Sequence, residues 1–153
     1  MKPQSIRRFD LFYLGSIAFS LIGYVVSYDA MVAQMAARTA AAGVRLGAGT
    51  VMATIVVSLA VELLLWFLVS RKAVAVAKWI IVLLLLFGLA STVGLLGVPG
   101  LFSGTWTILK TVSLLALLTE AAAVFYLFQP DANAWFAHKG AEVDNAAPDL
   151  PAD

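Results

Sequence analysis

Two carboxylates sit in apolar stretches whose only other charge is Lys110. Glu62 is followed by Leu-Leu-Leu-Trp66-Phe67, and Glu120 by Ala-Ala-Ala-Val-Phe125-Tyr126. An ionisable group in a membrane span costs about 2.5–3.5 kcal/mol on insertion scales, so it normally faces a bundle interior or water. Glu62 stands nine residues before Arg71, and Glu120 ten before Pro130. The spans themselves end a little earlier, at about 69 and 128, so at about 1.5 Å per residue both lie roughly 10 Å from the same boundary. Two carboxyls at one depth suit a proton, a cation or a hydrogen-bonding ligand.

Side chains on a helix advance by about 100° per residue, which groups further candidates with these acids. Thr50, Thr54, Ser58 and Glu62 recur every fourth position as a slowly drifting polar stripe. Ser113 is seven residues from Glu120 and shares nearly the same face, with Lys110 within about 80° of it. Ser16, Ser20, Tyr24 and Ser27 line one side of the first apolar stretch. Three polar faces are therefore expected to converge on one interior. There the carboxyls would exchange hydrogen bonds with hydroxyls, one or both carrying a proton at neutral pH. The bland reading of the same residues is packing. Small and hydroxylated residues let membrane helices approach closely, and Ser16, Ser20 and Gly23 form such a ridge, as do Ala90, Gly94 and Gly97. A protonated Glu bonded to a neighbouring helix would then be a structural clamp, and Lys110 a side chain snorkelling to the interface.

The elements that must hold these residues follow from composition. Hydrophobic residues make up 62% of the 153 positions and charged residues 12%, against about 45–50% and about 25% in soluble domains. A soluble domain of this size cannot hide so much apolar surface, which leaves an integral membrane protein. The net charge of +1 gives no basis for nucleic-acid binding. Without cysteine there is no disulfide, thiolate metal site or CxxC chemistry, and the lone His138 excludes a bis-histidine haem. No cofactor is expected.

A bilayer core needs about 20 apolar residues as helix. Four stretches fit, at about 11–28, 48–69, 79–98 and 106–128. Pro99-Gly100 and Gln129-Pro130 are the breaks after the third and fourth. The first apolar run is longer than the roughly 7–15 residues of a signal peptide, so it is expected to be retained. Six basic residues, Lys2, Arg7, Arg8, Arg71, Lys72 and Lys78, fall on one side, and this excess marks the cytoplasm. Both termini are then inside. Phe9, Phe12, Tyr13, Trp66, Phe67, Trp79, Phe125 and Tyr126 would form the inner aromatic belt, and Tyr24, Tyr28, Phe102 and Trp106 the outer one.

The external stretch 29–47 is Ala-rich. It either extends the first span or lies on the surface, with Asp29 able to start a helix and Gly43 to end one. Residues 129–153 form a cytoplasmic tail, read as disordered from about 140. Trp135 and Phe136 in it read as interface anchors, and His138 as an ordinary surface residue. The Glu62 and Glu120 surroundings suggest a weak parallel repeat of two helices each.

The opening Ile6-Arg7-Arg8-Phe9-Asp10-Leu11-Phe12-Tyr13-Leu14-Gly15-Ser16 and the closing Phe128-Gln129-Pro130-Asp131-Ala132-Asn133-Ala134-Trp135-Phe136 resemble the two ends of small four-helix bacterial inner-membrane proteins of uncharacterised function. The resemblance implies layout and location and brings no activity or site residues. The expectation is an all-α, four-span transmembrane bundle in a bacterial inner membrane. Its leading role is a non-enzymatic accessory, assembly or scaffolding component, partnered by the bilayer, by itself as a homo-oligomer, or by a larger membrane complex. The alternative is a minimal proton- or cation-coupled transporter using Glu62 and Glu120. An enzyme or quinone-binding subunit is the weakest class, because no nucleophile–base pair, metal set or haem ligand pair is present.

Overall fold

The computed structural model describes residues 2–40, 43, 46–94 and 107–146. They form five helices and, among the described residues, no strand: α1 (Gln4–Ala40), α2 (Ala48–Ser70), α3 (Ala75–Thr92), α4 (Ile108–Leu127) and α5 (Pro130–Ala146). The first four are long and apolar enough to cross a membrane.

α1 has 37 residues, or about 55 Å of helix against a hydrocarbon core of about 30 Å. It runs through Asp29 without interruption. No Gly or Pro breaks that region, and the Ser27 hydroxyl donates to the Gly23 carbonyl at 2.7 Å, within the helix itself. The stretch after the first span therefore extends α1 to Ala40. Beyond that end Gly43 adopts φ +70° and its N–H returns to the Ala40 carbonyl, a left-handed turn that glycine takes at no steric cost.

The other ends are equally local. α2 and α3 are joined through Ala73, a non-glycine residue at φ 52° whose methyl is buried in the core. Thr107 caps α4, its side chain accepting from the Lys110 N–H. Pro130 lacks an N–H, so it ends α4 and suits the first turn of α5.

Neighbours are antiparallel. Asp10 meets Trp66 and Tyr28 meets Ala48, pairing α1 with α2. Phe12 stacks on Tyr126 while Gly23 faces Val112 and Leu109, pairing α1 with α4. Trp79 meets Phe128 and Gly88 faces Leu117, pairing α3 with α4. α2 and α4 consequently run parallel.

The core occupies one end of the bundle. Each helix supplies residues spaced by three or four: Ile6, Phe9 and Tyr13; Leu65 and Val69; Ala77 and Ile81; Ala123 and Leu127; Ala132 and Phe136. That spacing places each set on one helical face. The last pair corrects an expectation. Phe136 is not an interface anchor but a core side chain, and Trp135 packs against it. α5 lies across the bundle end because its own apolar pair has no other cover. Its helix also runs past 140 to Ala146, where disordered chain was expected. Phe9 and Tyr13 likewise turn inward from the expected aromatic belt.

A polar clasp closes the same end. Lys2 pairs with Asp10, which also accepts from Trp66 Nε1 at 3.0 Å. The Ser5 backbone N–H and hydroxyl both donate to Asp131. Lys78, read from sequence as a loop residue, lies inside α3. It donates to Asn133 Oδ1 at 2.9 Å and sits 3.9 Å from the Phe128 ring centroid. Outward faces carry exposed Leu, Val, Ile and Phe throughout the four long helices, as lipid contact requires. The predicted end of the third span at Val98, the Pro99-Gly100 break, Gly97, Phe102 and Trp106 lie outside the described residues.

Candidate functional site

Beyond the core end the four long helices do not fill the space between them. A cavity of about 390 Å³ is lined by Tyr13, Ser16, Ser20 and Tyr24 of α1, Ser58 and Glu62 of α2, Phe87 and Gly88 of α3, and Glu120 of α4. A second cavity, of about 370 Å³, shares Ser20, Tyr24, Gly88 and Glu120 with it and continues along α1 and α4 past Ser27 and Ser113. The two cavities meet at these shared residues.

Both acids reach this interior for a simple reason of register. Trp66 is four residues after Glu62 and meets α1 at Asp10. Tyr126 is six residues after Glu120 and meets α1 at Phe12. Parallel helices anchored two residues apart on α1 bring their carboxyls to within about one helical turn of each other. The two are close enough to interact electrostatically, and Tyr13 lies within reach of both. Glu62 Oε2 is cut off from the surface and has no hydrogen-bond partner among the described residues. A buried acceptor left in that state costs about 1–3 kcal/mol.

The other candidates divide. Ser58, Ser20, Tyr24 and Ser113 line the interior with the acids. Thr54 does not: it is exposed on α2, and its hydroxyl donates to the Thr50 carbonyl at 2.9 Å. Four-residue steps drift by about 40° each, so Ser58 stays near the Glu62 direction while Thr54 is about 80° away. Lys110 sits in the first turn of α4 and is not part of either cavity wall. Ten residues separate it from Glu120, about 15 Å of helix. Ser113 and Ser27 line the wall while their hydroxyls donate to the Leu109 and Gly23 carbonyls of their own helices.

Tyr13 is the site residue that sequence reasoning assigned elsewhere. It precedes Ser16 by three and Ser20 by seven, so helical spacing does put it on their face. Its aromatic type and its place near the span's end argued instead for the belt. Gly88 and Phe87 carry no polar signal and were not legible at all.

Outside the spans, Asp131 is the titrating group with a defined environment. The Ser5 hydroxyl, and after it the Ser5 N–H, hold its carboxyl below the ordinary carboxylate range. Among the described residues no three His, Cys, Asp or Glu side chains are grouped to hold a metal. Compared with protein families, with curated proteins and with solved structures, the chain matches none.

Proposed function

We propose that this chain is a multi-pass membrane protein that binds a cation inside its helical bundle, with Glu62 and Glu120 as the binding carboxyls, and that this site serves proton- or cation-coupled transport. The observation that carries the reading is Glu62 Oε2, a buried acceptor with no partner among the described residues, on the wall of a cavity that Glu120 also lines. A structural clamp would bond that oxygen to a neighbouring helix. A ligand carboxyl is left open for an occupant.

The accessory role has less to stand on. Its support was two small-residue ridges, Ser16, Ser20 and Gly23, and Ala90, Gly94 and Gly97. Gly23 faces Val112 and Leu109 within the chain, and both serines line the interior. The first ridge is spent internally rather than offered to a partner, while Ala90 and Gly94 of the second are half-buried and Gly97 lies outside the described residues.

We place the protein in a bacterial inner membrane with both termini in the cytoplasm. The clasped end carries Lys2, Arg7, Arg8, Arg71, Lys72 and Lys78, the bias of cytoplasmic loops. Four spans are few for a transport pathway, so a homo-oligomer completes it. The site binds and moves its occupant without covalent chemistry.

The test replaces Glu62 and Glu120 by Gln, singly and together, in the full chain reconstituted in vesicles. Each single variant is expected to keep its helical content and unfolding midpoint. Proton- or cation-dependent flux is expected to fall at least tenfold. Unchanged flux in the folded double variant would overturn the reading.

A further inference from the structure

The cavity is a poor fit for a bare metal ion. A hard divalent cation gathers about six to eight oxygens, and the described residues offer no group of three metal-ligating side chains. The volume of about 390 Å³ is also that of roughly a dozen waters at about 30 Å³ each. Two carboxyls share its wall with the rings of Tyr13, Tyr24 and Phe87. Opposite charge together with aromatic faces is the combination that holds organic ammonium ions.

Tyr24 adds a second, separate observation. Besides the polar interior it borders a groove of about 310 Å³ between α1 and α2, lined otherwise by Leu21, Val25, Tyr28, Met52 and Ile55. The groove opens outward, with Val25 72% and Met52 49% exposed. Its far end is closed by the Tyr28 hydroxyl, which donates to the Ala48 carbonyl at 3.2 Å. One side of Tyr24 is therefore polar and acidic, and the other is apolar and faces lipid.

We infer that the occupant is an organic ammonium ion with an alkyl tail, its head held by Glu62 and Glu120 and its tail in the α1–α2 groove. It reaches the site sideways from the bilayer, past Tyr24. This deepens the proposed function and rests on the two carboxyls forming a cation site.

The experiment uses the full chain in lipid nanodiscs and two probes that stay largely in water, tetramethylammonium and butyltrimethylammonium, titrated calorimetrically. Both are expected to bind saturably, and the Glu62→Gln, Glu120→Gln double variant to bind neither. Each methylene moved out of water tightens binding about fourfold, so the butyl probe is expected to bind at least tenfold more tightly. Met52→Trp and Leu21→Trp fill the groove from its two walls. At least one of them is expected to erase the butyl advantage while keeping tetramethylammonium affinity within threefold. Equal affinity for the two probes, or an advantage that survives both groove variants, overturns the tail site and leaves the carboxyl site standing. No binding of either probe, with carboxyl-dependent flux of sodium ions or protons intact, overturns the ammonium assignment alone. Loss of that flux dependence as well overturns the carboxyl site itself.

Discussion

The residues of this protein that combine burial with polarity fall into two groups with different work. At the clasped end polar side chains are paired across helices: Trp66 on Asp10, Lys78 on Asn133, Ser5 on Asp131. In the interior Glu62 keeps an oxygen with no partner among the described residues. The contrast separates groups that hold the fold from groups held ready by it. Asp131 allows a pH test of the first kind. Its carboxyl is depressed in the folded state by the Ser5 hydroxyl and N–H, so it contributes fully above the unfolded carboxylate pKa of about 3.9 and loses that contribution as pH falls through the lower folded value. Below about pH 4 the wild type is expected to lose stability that an Asp131→Asn variant already lacks at neutral pH. Chemical unfolding of both from pH 7 to pH 3 checks this. A difference between them that stays constant across that range would rule the linkage out.

Among the elements, α5 is the one whose role the packing changes most. Ala132 and Phe136 close the core that α1 to α4 leave open at one end. Replacing Phe136 by Ala is expected to cost about 3 kcal/mol, the usual loss for a large buried aromatic. The same change at lipid-facing Phe125, which is 63% exposed, is expected to cost less than about 1 kcal/mol. Detergent-induced unfolding followed by tryptophan fluorescence measures both, and equal losses would place α5 outside the core. The four long helices were readable because apolar length alone calls for a span. α5 was not, because Trp135-Phe136 after a span has one composition whether it dips into the headgroups or docks on a bundle. α1 shows the same limit. Asp29 is chemically fit to start a helix, yet no breaker precedes it, and continuation needs no new nucleation.

At the scale of the whole molecule, the structure sets Lys2, Arg7, Arg8, Arg71, Lys72 and Lys78, with α5, at one end and the C-terminal part of α1, with Arg38, at the other. Because the chain has no cysteine, single cysteines report sidedness without background. Asp29→Cys is expected to react with an impermeant maleimide added outside intact cells, and His138→Cys only after the membrane is opened. Labelling of both from one side would refute the proposed orientation. The sequence by itself determined the class, the number of spans, and the face that Ser20, Tyr24 and Ser58 share with Glu62 and Glu120, because hydropathy and the helical period act locally. Only the tertiary structure decided that α1, the longest helix, would hold α2 and α4 parallel to each other. It also decided that Thr54 would turn to lipid, that Tyr13 and Gly88 would join the site, and that a cavity would remain between the carboxyls. Those outcomes depend on helix rotation and on how far side chains fill the space between helices, quantities that one strand of sequence does not encode position by position.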